Sequence, residues 1–194
     1  MKGTTTRAIW TPVLGLILLA SVVSTGLARP QLHVQVFDNP QTVRGLLADR
    51  AYYTPGDTLY RVDLAEADSL LDWIVPAKTM VFFNPDSTIR YCFLSKNTEM
   101  DGLVCRGSGH NWMTCFYPNG RLKLVWLAED ATIEGIQVRK ATWWRAVWQQ
   151  AQTAFHPNGE LKTAWLAEDQ TIQGELRKKG SMVMFDDRGV LLKP

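Results

Sequence analysis

The sequence predicts an all-β fold: a repetitive antiparallel β-hairpin meander in units of roughly 30 residues, curved or closed on itself. Three observations predict it. The twenty residues from Phe116 to Gly135 recur from Phe155 to Gly174, at an offset of 39 positions. Each copy carries a Pro-Asn-Gly turn, in which Gly120 or Gly159 supplies the positive φ of a tight reversal and Pro118 or Pro157 presets the chain entering it. After the turn, Leu122, Leu124 and Trp126 alternate with Lys123, Val125 and Leu127, the period of two that sends one set of side chains to each face of a strand.

Taken in order, residues 1–28 read as a signal peptide. Lys2 and Arg7 precede an apolar run over residues 13–23, and Gly26 and Ala28 are the small residues that a signal peptidase needs to cleave after Ala28. Residues 29–194 then form a single β-repeat domain. No cysteine follows the apolar run to be acylated, and nothing later is long and apolar enough to cross a bilayer. The expected location is secreted or periplasmic, with no membrane contact after cleavage. An uncleaved anchor over residues 8–28 is the alternative, giving a membrane-anchored repeat protein.

Within the domain, Leu32 begins a half-unit over residues 32–47, in which Gln41-Thr-Val-Arg-Gly45 matches Gln170-Thr-Ile-Gln-Gly174. Full units follow from Tyr53, Phe83, Phe116 and Phe155, and residues 185–194 open a last half-unit whose turn glycine is Gly189. Leu-Ala-Glu-Asp gives each unit a second reversal and Thr-Ile-x-Gly a further short strand. Joined, the two half-units would make one complete unit, the sequence basis for a closed ring. The unit from Phe116 is longer because of residues 139–152, expected as a short helix or a long hairpin arm.

The Phe-x-Pro-Asn-Gly-x-Leu-Lys unit, followed by Leu-Ala-Glu-Asp and Ile-x-Gly, resembles the hairpin repeats of the MORN-variant proteins of bacteria. The resemblance covers residues 53–192, and half-units extend it back to Leu32. It implies a β-hairpin repeat architecture and supplies no catalytic residues.

Composition excludes some functions. The 194 residues are 46% hydrophobic, enough for a core, and 21 basic against 19 acidic side chains give a formal charge of +2. Residues 1–28 hold two basic and no acidic side chains, so cleavage brings the charge to 0 and no nucleic-acid partner is expected.

Candidate sites are few. Trp143, Trp144 and Trp148 form a binding surface if exposed, since aromatic clusters anchor interfaces and sugar sites; the rival expectation is that these rings fold back over one end or face of the sheet. Three cysteines in an exported chain predict one disulfide, Cys105 with Cys115 across a hairpin centred on His110, or Cys92 with Cys105. Cys92, Cys105, His110 and Cys115 would be a tetrahedral metal set, but the Cys-x-x-Cys spacing is absent, so no metal and no other cofactor is expected. His33 and His156 are expected on the surface or in packing. Glu129-Asp130 and Glu168-Asp169 recur with the repeat, which marks turn chemistry before a carboxylate pair of a glycosidase. The expected function is therefore a non-enzymatic binding or structural module of the cell envelope, its partner a protein or an envelope glycan. A cell-envelope hydrolase using the repeated carboxylates or the Cys105 to Cys115 loop is the alternative.

Overall fold

The computed structural model describes residues 31–108, 111–147 and 151–193; the expected signal peptide, His110 and Trp148 lie outside them. The chain begins with a long hairpin, β1 (His33–Val43) and β2 (Leu46–Tyr53), and turns into β3 (Leu59–Leu64). From there a pattern repeats: two short strands, then two longer ones. The short pairs are β4 (Asp68–Leu70) with β5 (Trp73–Val75), and β8 (Thr98–Met100) with β9 (Leu103–Cys105). The longer strands beside them are β6 (Met80–Phe83), β7 (Ile89–Phe93), β10 (Met113–Phe116) and β11 (Leu122–Trp126). Next come β12 (Ala131–Ile133), β13 (Ile136–Val138) and a five-residue helix, α1 (Trp143–Val147). Then β14 (Gln152–Phe155), β15 (Leu161–Trp165), β16 (Gln170–Ile172), β17 (Glu175–Arg177) and β18 (Met182–Met184) complete the described chain.

The longer strands form one antiparallel meander of ten strands in the order β1-β2-β3-β6-β7-β10-β11-β14-β15-β18. This sheet is open, with β1 and β18 as its edges, so the closed alternative does not hold. The four short pairs are separate two-stranded sheets.

Turn chemistry explains both kinds of reversal. In the longer hairpins the positive φ falls on Gly120 (84°), Gly159 (97°) and Gly189 (75°), and in the earlier units on Asp57 (55°) and Ser87 (69°). All five turns carry the same pair of backbone hydrogen bonds, as in Gly120 N–H to the Tyr117 carbonyl and Tyr117 N–H to the Arg121 carbonyl. Three of the four short pairs turn on two residues with φ positive at both, Asp101-Gly102, Glu134-Gly135 and Gln173-Gly174, the geometry that matches the right-handed twist of the strands it joins.

The pleat sorts the side chains. On one face Ala51, Val62, Val81 and Cys92 are register partners in succession, and Cys92 faces Thr114. Those four apolar side chains are wholly buried, and Thr114 is 1% exposed. They share one core with Leu70 and Val75 of the first short pair, Met100, Leu103 and Cys105 of the second, Ile133 and Val138 of the third and Ile172 of the fourth. The short hairpins thus form a second layer on this inner face. Leu64, Leu94, Leu127 and Leu166 recur where the chain passes between layers, and each is fully buried, an environment that stabilises by about 1.5–3 kcal/mol per leucine.

This packing corrects the expected disulfide. Cys92, Cys105 and Cys115 are all free thiols. β9 pairs with β8, whereas β10 pairs with β7 and β11, so Cys105 and Cys115 are not opposite one another on adjacent strands. The register sets Cys92 beside Thr114, which turns Cys115 to the other face of the sheet. The rival pair fails as well: Cys92 and Cys105 belong to one core but to different layers, and neither is bonded.

Candidate functional site

The outer face of the ten-stranded sheet has no second layer of strands among the described residues. A row of register partners crosses it without a break: Tyr52, Arg61, Phe82, Tyr91, Cys115, Leu124, Ala154, Thr163 and Met184. Phe82 stacks on Tyr91 at 4.5 Å, and Phe93 meets both edge-on at 5.7 Å. The Arg61 guanidinium lies 4.0 Å from the Tyr52 ring centroid and donates to Asp63 at 2.6 and 2.7 Å. Aromatic rings here take over the covering role that hairpins play on the inner face.

Next to this row the rings border a half-open pocket. Trp112, at the start of β10, and Trp126, at the end of β11, meet edge-to-face at 5.4 Å and are 6% and 7% exposed. The segment around α1 closes over them through small residues: Ala141 and Ala151 are buried against the two rings, with Leu124 and Ala146 at the margin. The cavity left between them holds about 300 Å³ and is lined by Asn111, Trp112, Trp126, Trp143 and Ala146. The Arg106 guanidinium lies 4.7 Å from the Trp112 centroid and donates through Nη1 to the Ala141 carbonyl at 2.5 Å. It ties the lengthened segment to β9. The Trp126 indole N–H is buried and has no hydrogen-bond partner among the described residues.

Trp143 and Trp144, singled out in the sequence, stand on α1 edge-to-face at 5.0 Å. They remain 56% and 74% exposed, so the expectation that these two rings fold back over the sheet is corrected. Alanines do the covering because only small side chains fit between the helix and Trp112 and Trp126. Sequence reasoning missed Trp112 and Trp126. The signal was present: where Trp112 stands, the neighbouring units carry Thr79 and Ala151, a departure from the repeat that coincides with the lengthened segment.

The other candidates are structural. Asp130 accepts the Lys140 N–H at 2.7 Å and Asp169 the Lys179 N–H at 2.8 Å, so both repeated aspartates brace their turns. The Lys178 ammonium, the Lys179 N–H and the charge on both lysines hold Asp169 below the usual carboxylate range. His156 Nε2 lies 2.9 Å from the Phe185 carbonyl, and Tyr117 reaches the Phe155 carbonyl through its hydroxyl at the same distance. His33 lies on the edge strand β1, exposed. A wider cleft of about 620 Å³ runs along the hairpin tips past Asp101 and Glu134, and their carboxylates accept from the Trp73 indole and the Leu161 N–H. Burial pushes the Cys105 thiol up to about 12, raises Cys92 well above the ordinary range, and raises Cys115 too. Cys92 and Cys105 are thus held as buried thiols at neutral pH.

Comparison of the chain with family models, curated proteins and solved structures finds no match. No helix among the described residues is long and apolar enough to cross a membrane.

Proposed function

We propose that this chain is an exported, non-enzymatic binding module of the cell envelope, which meets a protein or an envelope glycan with the outer face of its open sheet. The observation that carries the reading is the asymmetry of that sheet. One face is sealed by four hairpins, while the other ends in two tryptophans exposed by 56% and 74% beside a cavity. Large rings left in water next to a rigid scaffold are what interface hot spots are made from. The turn duties of Asp130 and Asp169 and the burial of Cys92 and Cys105 favour a binding role over a reacting one.

The test is retention of envelope components from the native host on the immobilised chain. The wild type is expected to retain a component that the Trp143→Ala/Trp144→Ala variant loses by about fivefold or more. The melting temperature of that variant is expected to stay within about 2 °C, since neither ring is in the core. Equal retention by both proteins, or by neither, overturns the reading.

A further inference from the structure

We infer that a row of cations on the outer face of the sheet binds an acidic glycan, a linear sugar chain whose carboxylates recur about once in every two rings; this rests on the binding-module reading and names the ligand class. The row is built by β-bulges. Each of the hairpins β2–β3, β6–β7, β10–β11 and β14–β15 holds one extra residue just after its turn, which the register steps over, as where Phe82 and Phe83 pair with Tyr91 and Ile89. The extra residues are Tyr60, Arg90, Lys123 and Lys162. A bulge re-aims its side chain, and here the aim is outward. Tyr60 meets Phe82 edge-on at 5.4 Å, and the Arg90 guanidinium lies 5.6 Å from the Tyr91 centroid. The charges of Arg90 and Lys123 both reach the Cys115 thiol, which stands in the outer row with those rings.

Charge selects the sign of the partner. Arg90, Lys123 and Lys162 are exposed, and none makes an ion pair or a side-chain hydrogen bond among the described residues. The row of register partners from Tyr52 and the one beside it from Arg50 hold a single acidic side chain, Asp63, which Arg61 takes up at 2.6 Å. The whole chain is nearly balanced, 21 basic against 19 acidic, so this excess of cations is local to the face.

Spacing selects its form. In the sheet β10 lies between β7 and β11, and β14 between β11 and β15, so successive cations are two strand spacings apart, about 9–10 Å. An extended peptide misses that step, because its side chains return to one face every two residues, about 7 Å, or every four, about 13 Å. Nucleic acid is charged too densely, about one phosphate per 3.4 Å along each strand. A helix with acids two turns apart, about 11 Å, comes close but must bury an apolar stripe. No large apolar side chain of β6, β7, β10 or β11 is exposed to receive one. An extended glycan with a carboxylate on alternate rings sets one acid against each cation, and the half-buried Tyr91 ring beside Arg90 gives its C–H edges a flat apolar surface.

The test titrates the intact chain at low salt with short and long oligomers of hyaluronate, which carries one carboxylate per disaccharide, read by calorimetry. Dextran is the uncharged control and poly-glutamate the acidic polypeptide. Hyaluronate is expected to saturate, more tightly as the oligomer lengthens, and to weaken about tenfold or more when salt is raised to about 0.5 M. Arg90→Gln/Lys123→Gln/Lys162→Gln is expected to weaken it about tenfold or more at an unchanged melting temperature, because all three side chains are exposed. Absence of saturation by hyaluronate, a curve unchanged in the triple variant, or equal affinity for dextran overturns the proposal. Poly-glutamate bound as tightly as hyaluronate also overturns it, by assigning the row to an acidic protein. If hyaluronate fails while envelope retention still needs Trp143 and Trp144, the glycan assignment falls and the binding module stands; if both fail, the module falls too.

Discussion

At the scale of single residues, the repeat explains the cysteines. Cys92 stands where other units place Val62 and Val125, and Cys105 where they place Val75 and Val138, all of them wholly buried. Both thiols fill places that the repeat gives to small core side chains. Cys92→Val and Cys105→Val are therefore expected to fold with stability within about 1 kcal/mol of wild type, because the changes nearly conserve volume. Burial also fixes a pH dependence. A thiol whose folded value is raised stabilises fully below its unfolded value of 9.0 and loses that contribution as pH rises, for Cys105 toward about 12. Urea midpoints measured between pH 8 and 11 are expected to fall less steeply in the double valine variant than in wild type; parallel curves would contradict the assignment. Alkylation of the native protein at pH 7.5 is expected to reach Cys115 before either of the others.

At the scale of elements, side chains at the hairpin tips stitch one unit to the next. Glu134 accepts the Leu161 N–H at 2.8 Å, and Gln173, its counterpart, accepts the Leu191 N–H at 3.0 Å. Only an acceptor oxygen is needed there, so Glu134→Gln is expected to leave the melting temperature nearly unchanged, whereas Glu134→Ala is expected to cost about 1 kcal/mol in chemical denaturation. Equal losses in both variants would show that the charge, not the hydrogen bond, matters. The later hairpins were legible in the sequence because Gly120, Gly159 and Gly189, at a fixed place in their units, announce a positive φ, and the earlier ones, which put Asp57 and Ser87 there, followed from the repeat. Their assignment to two layers was not, since Thr98 to Cys105 and Met113 to Trp126 both read as strand-turn-strand, and only packing tells which pair joins the long sheet. The disulfide expectation failed for the same reason: Cys105 and Cys115 are close in sequence but belong to hairpins of different layers. The exposed pair Trp143 and Trp144 was readable as a candidate site, while Trp112 and Trp126 were hidden because each also reads as an ordinary strand residue.

At the scale of the whole molecule, the stack is quasi-one-dimensional, each unit touching its neighbours along the sheet. Interior units are held from both sides and terminal ones from one. Native-state hydrogen exchange is expected to be slowest in β7, β10 and β11 and faster by about tenfold or more in β18, which has a single partner strand. Uniform protection across the ten strands would mean that the sheet opens only as one cooperative block.

The Pro-Asn-Gly turns keep the stack in step. Asn119 donates to the Pro157 carbonyl at 2.9 Å, and Asn158 donates to the Asp187 carbonyl at 2.7 Å. The first of these bonds spans a unit of 39 residues and the second a unit of 30, yet the reach from turn to turn is the same. The ruler of the assembly is therefore the asparagine arm at the turn edge and not the length of chain between turns. The lengthened segment that carries α1 is slack in that ruler, a place where the fold admits extra sequence without losing count, and there the chain presents Trp143 and Trp144 exposed.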